Sequence, residues 1–371
     1  MILREFHQSL GAVLTAVNGV AAVNDYGDWI AEHAALRQHA GVLDLSFRSR
    51  LCLLGADRAR FLHGQVTNDV KKLRPGEGCY AALTTAKGRM EGDLNILCLA
   101  EEFLLDFEPG LAGKTSQRLE KYIVADDVQI VDASPHYGLL SVQGPQAEDV
   151  IRMLALTAYI PDQPFASVSI ADPALGELYL VRLARLASGI PTRPPADPTL
   201  AGFDLFVPNG SLAAVVGRLV TAAQAIGGRA CGWQAFETAR IEAGIPRFGV
   251  DMDETHLPLE CGLEARAITY TKGCYLGQEV INRIHSVGHT NRALHGLRLA
   301  DDGKTLPRHG DKLLAAGKEV GYVTSATRSP WLHANLALGY LRHEHSQTGA
   351  ELTLQTAEGV CPVKVVDLPF V

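Results

Sequence analysis

No Cys-x-x-Cys pair occurs among the seven cysteines, Cys52, Cys79, Cys98, Cys231, Cys261, Cys274 and Cys361. Their number is odd and their spacing wide, so no local zinc or iron–sulfur ligand set can be read, and no bound metal is expected. No uninterrupted apolar run reaches ~18 residues, which excludes a membrane-spanning helix. The N-terminal run Met1-Ile-Leu-Arg-Glu-Phe-His7 lacks a secretory-signal pattern, so the chain reads as cytoplasmic. An excess of positive charge is missing too: 34 Lys and Arg stand against 41 Asp and Glu, a net charge of -7. Proteins that grip nucleic acid through phosphates are usually basic, so composition does not point to tRNA as a partner. What remains is an ordinary soluble chain of 371 residues, 47% hydrophobic and 20% charged, long enough for two or three domains with substantial cores.

The most unusual stretch is Lys272-Gly-Cys-Tyr-Leu-Gly-Gln-Glu279, which holds a cation, a thiol, a phenol, an amide, a carboxylate and two glycines. Packing alone does not account for so polar a run. It follows a strand-like segment, Ala267-Ile-Thr-Tyr-Thr271, and glycines beside the cysteine predict a tight turn with close backbone approach. Lys272 would favour the Cys274 thiolate if the two side chains converge. The alternative is a surface hairpin with an incidental cysteine.

Elsewhere the patterns are conventional. Residues 28–40 read as a helix started by Asp28 and stopped by Gly41, and Arg50–Leu54 as a strand, with Asp57 capping the short helix that follows. Thr67, Asn68 and Asp69 form a polar turn. Tyr80–Thr85 and Asp93–Leu99 read as a hairpin around Ala86-Lys-Gly-Arg89. Helices are predicted over 211–226 and 233–243, and four prolines mark 188–202 as an exposed connection. Arg240 and Glu242, two apart on a helix, point to different sides, as ion-pair formers would. From Leu294 onward short strands at regular spacing predict a small antiparallel barrel. His285 and His289 are four apart, but Gly288 argues against a helix joining them as metal ligands.

The run Lys272–Glu279 resembles the signature of the folate-binding YgfZ family, paralogues of the glycine-cleavage T-protein, an aminomethyltransferase. The likeness extends over nearly the whole chain: Gly41-Val-Leu-Asp-Leu-Ser46, the Thr67-Asn-Asp69 turn, Gly202-Phe-Asp-Leu-Phe-Val-Pro208 and Ala239-Arg-Ile-Glu-Ala-Gly244 all have T-protein counterparts. The resemblance implies an α+β fold: a three-domain ring around a central folate channel, with a C-terminal antiparallel β-barrel. The boundaries it implies are 1–145 for a folate-binding first domain, part of it completed by 245–285; 146–245 for a two-layer second domain; 246–290 for the segment bearing the signature; and 291–371 for the barrel. It implies tetrahydrofolate or a derivative as cofactor, bound by Asn68, Asp69, Tyr80, Asp204, Arg240 and Tyr275. Asp204 stands where T-proteins carry a pterin-binding glutamate, one methylene longer. Cys274, Asp93 and Lys272 are the candidate catalytic groups. T-proteins carry paired aspartates where this chain reads Gly92-Asp93, which puts amine transfer in doubt.

Three functions compete, and the signature favours the first while the Gly92 replacement weakens the second. One is a YgfZ-like protein supporting iron–sulfur cluster enzymes and tRNA modification, with iron–sulfur client or assembly proteins as partners. The second is a tetrahydrofolate-dependent aminomethyltransferase, and the third a non-catalytic folate-binding module. A monomer without membrane contact is expected.

Overall fold

The computed structural model describes residues 1–187, 201–300 and 306–371, so the proline-rich connection falls almost wholly outside the described residues. A five-stranded antiparallel sheet runs in the order Gly78–Thr84, Met90–Cys98, Phe103–Phe107, Ser49–Leu54, Gln129–Asp132. A six-stranded sheet runs Ser167–Asp172, Gly176–Arg182, Gly202–Pro208, Tyr137–Gln143, Gly41–Asp44, Arg229–Ala230, with only the last pair parallel. Six further strands from Arg292 to Val366 close into an antiparallel barrel, as the C-terminal spacing predicts. Among the described residues no helix is long and apolar enough to cross a membrane.

Strand Gly202–Pro208 shows how the layers form. Phe203, Leu205 and Val207 face one side and pack with Leu140, Val142 and the buried stripe of helix Leu212–Ala225. Burying each such side chain is worth roughly 1.5–3 kcal/mol. Asp204 and Phe206 face the other way, into a core shared with Leu97, Leu104 and Phe236. The second sheet thereby presents a carboxylate toward the first.

Helix Trp29–Gln38 begins where Asp28 accepts a bond from Ala31 N at 3.0 Å. It packs on helix Trp233–Glu242, which also touches barrel strand Lys318–Ser329. Arg240 and Glu242 do point to different sides. Glu242 accepts from His33 Nε2 at 2.9 Å and from Arg37 and Ser329.

Three expectations are corrected. Ala267–Thr271 is no strand: Ala267 ends the short helix Glu264–Ala267, and a turn leads into the signature. The signature is no hairpin either, but a loop delivering the chain to helix Gln278–Val287. That helix holds His285 and stops at Gly288, so His289 lies beyond it. The Asp57 carboxylate makes no capping bond within its helix; it accepts from Asp127 N at 3.0 Å, tying two loops together.

Candidate functional site

Asp93 lies in strand Met90–Cys98 opposite Ala82, and so shares a sheet face with Tyr80. Tyr80 Oη donates to Asp93 Oδ2 at 2.8 Å. Asp93 is only half-buried although it sits mid-sheet, yet its Oδ1 is sealed and has no hydrogen-bond partner among the described residues. Burial, and then the Glu108 charge, push its carboxyl up to about 6 against the opposing pull of Tyr80, Arg48 and Arg266. The Arg266 guanidinium lies over the Tyr80 ring, 5.0 Å from its centroid. Gly92 points to the opposite face, across from Leu83. A side chain there would meet Leu83 Cδ1 at 3.8 Å, within the apolar cluster of Leu83, Leu94 and Ile96. The aspartate this chain lacks would have faced that core, and the one it keeps faces polar groups.

Beside Asp93 runs an alternating chain of buried charges. Arg185 Nε stands 3.1 and 3.0 Å from the two Asp204 oxygens, and its Nη2 bonds Asp204 Oδ2 at 2.6 Å and Asp106 Oδ2 at 2.7 Å. Arg48 joins Asp106 at 2.8 Å to Glu108 at 3.0 Å. Arg247 continues from Glu108 at 2.7 Å to Glu237 at 3.3 Å. Arg240 then links Glu237 to Asp251, both at 2.5 Å. Burial works to raise the Asp106 carboxyl, but Arg185 and Arg48 overcome it and hold it below the carboxylate range.

Two residues expected at the folate site are already engaged in this network. The Asp204 carboxylate, expected to take the pterin edge, is fully buried and already holds a two-nitrogen guanidinium contact from Arg185. Arg240, expected at the folate site, is 1% exposed and spends both terminal nitrogens on Asp251, Glu237, Ser325 and the Ile245 carbonyl.

The signature loop is stitched to the end of the Tyr80 hairpin. Thr84 Oγ1 donates to Leu276 O at 2.6 Å, and Gly277 adopts φ +89° where a Cβ would lie 2.5 Å from Thr85 O. Lys272, expected beside the thiol, has its ammonium engaged by backbone. Its ammonium is buried and donates to three carbonyls, His63 O at 2.8 Å, Val66 O at 2.6 Å and Asn68 O at 2.7 Å, with the Tyr275 ring centroid 4.8 Å away. Cys274 is exposed, whereas Cys52, Cys98, Cys231 and Cys261 are buried. Asn68 donates to Tyr80 O at 2.9 Å and accepts from Asp69 N and Thr269 Oγ1, which braces the loop. Asp69 pairs with Lys72 at 2.9 Å and lies 3.3 Å from His63. Tyr275 is buried with its hydroxyl unpartnered, and burial pushes that phenol up to about 12.

Sequence reasoning missed Arg48, Asp106, Glu108, Arg185, Arg247 and Arg266. The available signal was charge inside apolar strand context: Asp106 and Glu108, two apart after Phe103-Leu-Leu105, share one face and require buried partners.

Residues 3–188 and 199–272 match the GCVT N-terminal domain, and residues 292–371 match the glycine cleavage T-protein C-terminal barrel domain. An aminomethyltransferase of Symbiobacterium thermophilum is 30% identical over 381 residues, covering 99% of this chain and 96% of the relative. One from Bacillus subtilis is 28% identical over 356 residues, covering 93% and 94%. The crystal structure of glycine cleavage system aminomethyltransferase T from Bartonella henselae aligns over 100% of this chain and 97% of its own, with a TM-score of 0.86 at 23% identity, a likeness of fold.

Proposed function

The chain belongs to the glycine cleavage T-protein family, and from that premise we propose that it moves the one-carbon unit of an aminomethyl group from a lipoyl-type carrier to tetrahydrofolate, releasing ammonia and the carrier thiol, with Asp93 as the proton carrier. The Asp93 carboxylate carries this reading: Oδ2 is fixed by Tyr80, Oδ1 is sealed and orphaned, and the group titrates near 6. The surrounding residues fit a reduced pterin. An orphaned carboxylate oxygen calls for an N–H donor, and Tyr80, Ala82, Met90 and Phe248 supply buried apolar wall. Tetrahydrofolate, when bound, supplies the nitrogen that accepts the one-carbon unit. This chain's part is to receive a proton at Asp93 Oδ1, keep the carboxylate oriented through Tyr80, and exclude water. A carboxyl titrating near 6 is populated in both forms near neutral pH, so it can take a proton and return one to the departing carrier sulfur. The test is ammonia release from an aminomethylated lipoyl carrier protein in the presence of tetrahydrofolate. Turnover by the native chain, lost in Asp93→Asn, supports the reading, and absence of turnover by the native chain refutes it.

A second reading draws on the Lys272–Glu279 run and its exposed Cys274: a YgfZ-type protein that supports iron–sulfur enzymes and tRNA modification in the cytoplasm. Rescue of iron–sulfur enzyme activity in cells lacking the protein, abolished by Cys274→Ser while carrier turnover is absent, favours this second reading.

A further inference from the structure

A cleft of about 600 Å³ opens between the tip of the Tyr80 hairpin and the mouth of the barrel, on residues the transfer site does not use. Arg89, Arg292, Arg342, His289 and His343 line it, with Glu260 and Glu344 as the opposing charges. Two of the guanidiniums are held in place. Arg89 and Arg292 both donate to the Thr255 carbonyl, Arg292 Nε lies 3.3 Å from Glu260 Oε2 and its Nη1 3.3 Å from Tyr322 Oη, and Arg89 lies 3.8 Å from the same Glu260 oxygen. The third is not: Arg342 is exposed and its guanidinium makes no hydrogen bond or ion pair among the described residues. His289 and His343 bring their rings to 5.1 Å on the same rim.

The barrel's register makes this placement costly. Arg292 and Arg342 are directly opposite one another in the antiparallel pair formed by strands Arg292–Leu299 and Ala334–Arg342. Like charges in that relation repel. Glu260 relieves Arg292 at 3.3 Å and Arg89 at 3.8 Å but does not pair with Arg342, so the Arg342 guanidinium faces the cleft without a carboxylate partner among the described residues. Guanidinium forks match planar and tetrahedral oxyanions in two-point contact, and the volume is that of a metabolite site. We infer that this cleft binds a metabolite-sized anion carrying two or more carboxylate or phosphate groups, clamped between Arg292 and Arg342. The chain's net charge of -7 disfavours a nucleic-acid backbone as the occupant.

The test is calorimetric titration of the full chain, at low ionic strength, with tripolyphosphate and separately with tri-glutamate. Binding of either probe is expected, weakened about tenfold or more in Arg342→Glu and by less in Arg342→Gln. The exposed Arg308→Glu, outside the cleft, changes the charge equally and serves as control; it should alter affinity less than about twofold. Binding of tripolyphosphate alone identifies a phosphorylated metabolite, and binding of tri-glutamate alone identifies an oligocarboxylate. Absence of binding for both at millimolar concentration overturns the inference, as does an equal loss in Arg342→Glu and Arg308→Glu. Melting temperatures of the variants, expected to match the parent, separate lost binding from lost folding.

Discussion

Tyr80 and Asp93 meet across one strand pairing, Oη to Oδ2 at 2.8 Å, and that bond divides the carboxylate into a fixed oxygen and a sealed, unpartnered one. Burial and then Asp93 itself keep the Tyr80 phenol far above its ordinary range, so the shared proton stays on tyrosine. The orphan Oδ1 has no partner among the described residues, so a donor that reached it would displace no existing bond.

Asp93→Asn should therefore lower aminomethyl transfer by ~100- to 10,000-fold, the usual loss for a positioned proton carrier. Tyr80→Phe should cost less and move the acidic limb of the pH–rate profile upward. The tyrosine bond lowers the Asp93 carboxyl, and its removal lets burial raise it further. Steady-state rates of both variants across pH 5–8 check this. An unshifted limb in Tyr80→Phe would assign the titration to another group.

The same carboxyl should leave a mark on stability. Its folded value of about 6 lies above the ordinary carboxyl value of 3.8, so the folded chain binds the proton more tightly than the unfolded one. Stability from this group is present below the unfolded value and is lost as pH rises through about 6. Asp93→Asn should abolish that loss and raise stability at neutral pH by on the order of 1–3 kcal/mol. Urea unfolding at pH 4.5 and 7.5 measures it, and the gap between the two proteins should be clearly larger at the higher pH.

Much of this arrangement was legible in the sequence, and the rest was not for identifiable reasons. Tyr80–Thr85 and Asp93–Leu99 read as a hairpin because alternation and the intervening Lys-Gly turn are local signals, and the C-terminal strands announced a barrel through their spacing. What Gly92 had lost could not be read so easily. Only the sheet register shows that position 92 faces Leu83 while position 93 faces Tyr80. The segment before the signature carries β-branched and aromatic residues, but tertiary contacts override that propensity: Thr269 N bonds Thr67 O at 3.1 Å and Tyr270 stacks on His285. Arg185 as the occupant of Asp204 had no local sign at all, because the two residues lie on different elements.

That occupancy gives a prediction opposite to the one the family pattern suggests. Asp204 already receives two guanidinium nitrogens, so Asp204→Asn should leave tetrahydrofolate affinity within about twofold of native while lowering stability by on the order of 1–3 kcal/mol. Arg185→Met should cost more, about 3–5 kcal/mol, since it strands both Asp204 and Asp106 in the interior. Calorimetric titration with tetrahydrofolate and urea unfolding separate the two effects. A large affinity loss in Asp204→Asn at unchanged stability would return that carboxylate to the pterin.

Lys272 and Cys274 are two residues apart, yet they do unrelated work. The lysine ammonium is saturated by the carbonyls of His63, Val66 and Asn68 and clamps the signature loop to the turn beneath it. Burial holds it down to about 8, against the opposing effect of Asp69 and then Cys79. A lysine lowered in the fold binds its proton less tightly there than when unfolded, so its contribution to stability rises with pH between about 8 and the ordinary lysine value of 10.5. Lys272→Met should strand three buried carbonyls and cost roughly 2–5 kcal/mol. Cys274→Ser, on an exposed side chain, should cost less than about 0.5 kcal/mol. In the native protein iodoacetamide should label Cys274 ahead of Cys52, Cys231 and Cys261, whose thiols burial drives well upward. Lys272→Arg, which keeps the charge but replaces a point donor with a planar fork, should destabilise the loop and leave the Cys274 labelling rate within about twofold of native. A rate that falls with Lys272→Arg while the melting temperature holds would restore the lysine as the thiol's activator.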